Sequence, residues 1–153
     1  MRYRAGLVVV TVLLATAALP ACASGIDNKI PDMDTIMALE SRANVAEPRE
    51  QCFLYAQVVH QMTELSVRQY AAGEVGKATD LLKRIQQLAQ KIHLSLAKND
   101  KRVKNAEILL NHSAFRLTEM LHASSFEDRS LVQDTLTDVT MAQKESMFQV
   151  FKK

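Results

Sequence analysis

Apolar side chains fall at alternating steps of three and four along residues 75–96. Val75, Ala78, Leu82, Ile85, Ala89, Ile92 and Leu96 form one stripe, and Leu81 and Leu88 flank it. That spacing predicts a single helix with one broad face turned toward other helices. Upstream, Cys52, Tyr55, Val59, Met62 and Ser66 trace a stripe beside a second one of Leu54, Val58, Leu65 and Gln69. A face this wide predicts a helix with two neighbours. Val103, Ala106, Leu110, Ala114, Leu117 and Met120 or Leu121 give a third helix, with Ile108 and Phe115 as its second contact line. A fourth carries Leu131, Thr135, Leu136, Val139, Ala142, Met147, Val150 and Phe151.

Breakers and caps set the boundaries. Asp32 or Asp34 can cap a short helix holding Met33, Ile36, Met37 and Leu39, which ends near Arg42. Pro48 suits the first helical position, where its missing N–H costs nothing. Gly73 is placed to end that helix in a left-handed conformation, and Glu74 opens the next. Asn99 and Asp100 can end one helix and cap another, which predicts an antiparallel pair folded about that dipeptide. Ser125 or Asp128 can cap the last helix. The expected fold is all-α: an up-and-down antiparallel four-helix bundle over 48–153, preceded by a linker and short extra helix over 24–47.

Around the first long turn, Leu65-Ser66, the run Tyr70-Ala71-Ala72-Gly73-Glu74-Val75, and then Ala78 and Leu82 resemble a tetratricopeptide helix-turn-helix. The resemblance covers about 30 residues and implies a hairpin that stacks on others to present a peptide groove. Gln90 stands where that repeat carries proline, and no second copy follows at the repeat's roughly 34-residue period. The hairpin is therefore read as a generic close-packed one, with the tetratricopeptide-like stack as the alternative.

Composition agrees with a helical chain: 153 residues, 48% hydrophobic and 24% charged, with four glycines, three prolines and no tryptophan. The amino terminus changes the picture further. Arg2 and Arg4 precede an uncharged apolar run from Leu7 to Ala18, too short for the roughly 20 residues a spanning helix needs. Residues 1–23 thus read as a cleaved signal sequence of an exported bacterial cell-envelope protein. Two processing routes fit. Ala21 and Ala23 suit ordinary cleavage before Ser24, which releases the protein to the periplasm. Leu19-Pro20-Ala21-Cys22 resembles a bacterial lipobox, which implies acylation of Cys22 and an outer-membrane-anchored lipoprotein. Pro20 departs from the usual small or β-branched residue of that motif.

Without Arg2 and Arg4, the 19 basic residues become 17, equal to the 17 acidic ones. A balanced chain has no electrostatic reason to bind nucleic acid. Lys98, Lys101, Arg102 and Lys104 cluster, but as a solvated helix end. The expected membrane contact is only through a lipid on Cys22, and the expected partner is another protein or a second copy.

Candidate chemistry is sparse. Folding the expected antiparallel pairs puts His60 and His112 both level with Gln87, where two imidazoles facing inward could hold a metal. Glu119 and His122 have the Glu-x-x-His spacing of ferritin-like di-iron bundles, and Glu64 follows His60 by one turn. Those bundles need the motif twice, and this chain has it once. His60, His112, Glu119 and His122 are weak metal candidates; the expectation is a binding or structural module with no cofactor and no catalytic residue, and a metal- or cofactor-binding bundle enzyme is the alternative. Haem-attachment, phosphate-loop, serine-elbow and zinc-helix motifs are absent. Met62, Met120 and Met147 read as core fillers, and Cys52 as a small buried hydrophobe.

Overall fold

The computed structural model describes residues 31–96 and 102–152. The signal segment, Cys22 and the Asn99-Asp100 dipeptide lie outside them. The described chain is all-helical: α1 (Met33–Val45), α2 (Pro48–Ala71), α3 (Val75–Leu96), α4 (Val103–Ala123) and α5 (Arg129–Phe151). No helix among the described residues is long and apolar enough to cross a membrane.

Local chemistry explains the ends. Asp32 caps α1, its Oδ1 accepting the Thr35 N–H at 2.8 Å. Pro48 is the first residue of α2. Gly73 follows α2 with φ +80 and donates its N–H to the Tyr70 carbonyl, while the Glu74 N–H reaches back to Gln69 O at 2.9 Å. Those bonds close the orphan carbonyls of α2 and reverse the chain within three residues. The Glu74 carbonyl then accepts the first bond of α3, from Ala78 N–H.

The core runs through all five helices and includes Ile36, Val58, Val59, Met62, Leu82, Ile85, Ile92, Leu110, Leu117, Val132 and Val139. Each such aliphatic side chain withdrawn from water contributes about 1.5–3 kcal/mol before entropy is counted. Helix α3 buries the expected stripe from Ala78 to Leu96, together with Leu81 and Leu88, while Val75 in its first turn is half-buried. Helix α2 is buried on more sides than expected, from Cys52 through Tyr55 to Ser66, because it packs on α1, α3 and α4.

The arrangement of neighbours differs from the expected one. Helices α2 and α3 pack together, as do α4 and α5, α2 and α4, and α3 and α5, but α3 does not pack on α4. The pair expected about Asn99-Asp100 is thus a diagonal and not a contact. Helices α2 and α4 run in the same direction: Glu64 meets Arg116, and six residues further on Tyr70 meets Ser125. Helices α3 and α5 are likewise parallel, with His93 beside Glu145 and Leu96 near Phe148 and Gln149. Two antiparallel hairpins therefore lie side by side, and α1 covers the first of them. Its Glu40 accepts two bonds from Arg84 of α3, and its Asn44 accepts from Tyr55 and Lys91.

Three expected contact lines turn out differently. Ile108 and Phe115 of α4 are exposed. On α5 the buried positions are Val132, Thr135, Val139, Ala142 and Ser146, so Met147, Phe148 and Phe151 face outward. Ser113 in place of Ala114 completes the buried line of α4. These buried hydroxyls are satisfied by their own helices: Ser113 Oγ, Thr135 Oγ1 and Ser146 Oγ each donate to the carbonyl four residues back at 2.8 Å. A hydroxyl bonded this way can occupy a core position that an apolar count assigns elsewhere. Met62 and Met120 are buried as expected, whereas Met147 lies at the surface edge.

Candidate metal centre

Residues one turn apart on a helix project from the same face. On α2 this pairs His60 with Glu64, and on α4 it pairs His112 with Arg116. Because the two helices are parallel and in register, the pairs meet level for level. The His60 and His112 ring centroids lie 5.1 Å apart, edge to face. His112 Nδ1 is 3.8 Å from Glu64 Oε1, and Arg116 Nε donates to the same carboxylate at 3.1 Å. His60 and Glu64 are half-buried in the α2–α4 seam, and His112 is exposed at its rim.

One ligand atom from each of His60, Glu64 and His112 can be chosen so that all three lie within 4.8 Å of one another. His60 Nδ1 is buried without a hydrogen-bond partner. Burial holds the His60 imidazole below its usual pKa; the Glu64 charge opposes that, and His112 adds to it. Its neutral form is favoured accordingly. Arg116 is bound on both sides, by Glu64 and by Glu119. Burial alone would lower its pKa, but the two carboxylates outweigh it and the guanidinium stays charged.

The structure thus brings His60 and His112 together, by direct packing of α2 on α4 and not through a level shared with Gln87, which is exposed on α3. Glu119 reaches the cluster only through Arg116, and His122 is exposed and outside the trio. Glu64, noted in the sequence only beside the di-iron spacing, is the third member of the cluster with the two histidines. Its signal was the single-turn spacing from His60, which acquires meaning only once α4 lies alongside.

Elsewhere, Cys52 is buried. Of the basic cluster, Lys98 and Lys101 lie outside the described residues, and the Arg102 guanidinium stacks over the Phe53 ring at 3.7 Å. Among the described residues, grooves flank α5 on both sides. One, about 370 Å³, lies against α3 and is lined by Leu94, Met141 and the His93–Glu145 pair. Another, about 540 Å³, lies against α4 and is lined by Phe115, Leu136, Met141 and Lys144. Compared with protein families, curated proteins and solved structures, the chain has no match in any of the three.

Proposed function

We propose that this chain is an exported bacterial envelope protein that works as a non-catalytic interaction module, periplasmic or held at the outer membrane by a lipid on Cys22. The observation that carries the interaction role is the apolar surface around α5. Leu94, Phe115, Met141 and Phe148 are large side chains left out of the core, and Met141 lines both grooves. Apolar side chains gathered along grooves mark a surface that gains free energy when a partner covers it. Export rests on the charged start, the short apolar run and the small residues before Ser24. The non-catalytic part rests on the absence of catalytic motifs from the sequence.

The finer architecture is proposed as an up-and-down chain path whose packing units are the hairpins α2–α3 and α4–α5, with the consecutive helices α3 and α4 on a diagonal. In-register stacking of α2 on α4 and α3 on α5 also favours a second reading, a tetratricopeptide-like stack whose open side takes a peptide.

Photo-crosslinking in the exporting cell tests the interaction role. A benzophenone side chain at position 115 should give a discrete protein adduct, and one at the exposed Lys83 position should not; equal labelling at both sites, or none at 115, refutes it. Labelling with an alkyne fatty acid separates the processing routes. Uptake that disappears in Cys22→Ser supports the lipid anchor, and uptake by neither form leaves the released protein as the product.

A further inference from the structure

We propose that His60, Glu64 and His112 form a binding site for one divalent transition metal ion of the zinc class. Two imidazoles and a carboxylate are the nitrogen and oxygen donors that zinc accepts in three-ligand sites, with the fourth position left to water. Magnesium and calcium are disfavoured by the same set, since both ask for six or more oxygens. The exposed ring of His112 places the fourth position at the rim of the seam, where solvent reaches it.

Distances support the assignment. Tetrahedral zinc with bonds of about 2.0–2.1 Å sets its ligand atoms about 3.4 Å apart. The three atoms here lie within 4.8 Å of one another, and His112 and Glu64 are already at 3.8 Å. Side-chain rotation of the exposed His112 can shorten its distances to the other two ligand atoms without moving the helices. The two donors of α2 sit on one rigid turn, so little ordering is left to do when the ion arrives.

Arg116 is the apparent objection, because it places a cation against Glu64. Glu119 answers it. The guanidinium is held by Glu119 as well, so Glu64 can turn one oxygen to a metal while Arg116 keeps its second counter-charge. With neutral histidines, Glu64, Glu119 and Arg116 carry one net negative charge, which favours a divalent cation over none. Arg116 then orients the ligating carboxylate from behind, as outer partners of metal ligands do. His60 supports this too, since its buried Nδ1 lacks a hydrogen-bond partner.

The test is calorimetric titration of zinc chloride into tag-free protein stripped with a chelator. One equivalent should bind, and His112→Gln should weaken binding at least about 100-fold, beyond the 10–100-fold that outer partners typically cost. His122→Gln should bind like the parent. Because His112 is exposed, its variant should melt like the parent without zinc, and only the parent should gain thermal stability when zinc is added. Binding unchanged by His112→Gln, or no saturable binding, overturns the site. X-ray absorption on the zinc-loaded parent reads the ligands independently of any variant: two imidazoles confirm the assignment, and fewer than two refute it.

Discussion

The Tyr70 hydroxyl at the end of α2 donates to Asp128 Oδ2, just before α5, at 3.0 Å across 58 residues of chain. The Tyr70 hydroxyl oxygen in turn accepts the Ser125 N–H at 2.9 Å, and Ser125 Oγ donates to the Asp128 carboxylate at 2.7 Å. One phenol therefore ties the turn between α4 and α5 to the end of α2, and so fixes one hairpin against the other. Tyr70→Phe removes both bonds while keeping the ring, and should cost about 1–2 kcal/mol in urea unfolding. Faster amide exchange at Ser125 should accompany it; a variant as stable as the parent would show that the hairpins are held in register by apolar packing alone.

The two glycines near the α2–α3 turn should respond with opposite signs. A Cβ at either position meets nothing within 4 Å, so space does not decide the outcome. Gly73 sits at φ +80, and Gly73→Ala should destabilise by about 1–2 kcal/mol through backbone strain. Gly76 lies in the first turn of α3, and Gly76→Ala should stabilise by about 0.4–1 kcal/mol by restricting the unfolded chain. Thermal melts of the two variants should move in opposite directions.

Glu40 is nearly buried in α1, and Arg84 donates to its Oε2 from Nε and Nη2 at 2.9 and 2.8 Å. Arg84→Met would strand that carboxylate. Since Arg84 is itself half in solvent, the expected loss is about 1–2 kcal/mol and not the full penalty of a buried pair. The effect should be local, with hydrogen exchange rising across α1 while α4 and α5 keep their protection. Uniform loss of protection would mean that α1 is integral to the cooperative unit.

Stability should fall on mild acidification of chelator-treated protein. The folded state holds His60 below its ordinary 6.5, chiefly by burial, so the unfolded chain takes up the proton first. The contribution of His60 is intact above 6.5, is lost as pH falls beneath it, and levels off once pH passes below the folded value. Chemical unfolding of the parent and of His60→Gln between about pH 7.5 and about pH 5 should show a shallower pH dependence in the variant. Equal slopes would refute a depressed His60.

Turns and caps were the most legible features of the chain, because each depends on residues within a few positions of one another. Asp32 caps α1, Pro48 starts α2 and Gly73 ends it, as local chemistry alone requires. The α3 stripe also buries as read from Ala78 to Leu96, since eight apolar residues turned to the core leave the helix little rotational choice. Helices α4 and α5 were harder. Their buried faces include Ser113, Thr135 and Ser146, whose hydroxyls bond their own helix, while Phe115 and Phe148 stay outside.

What the sequence determined by itself is the helical state of the chain, where most of its helices begin and end, and which side of α3 is apolar, because helix periodicity and capping are local. Only the tertiary structure decided that α3 and α4 are diagonal and that α2 runs parallel to α4. Pairing depends on how faces from distant segments fit together, which no spacing within one helix encodes. His60, Glu64 and His112 show the consequence: each was visible in the chain, and only the register of α2 on α4 brings the three within 4.8 Å.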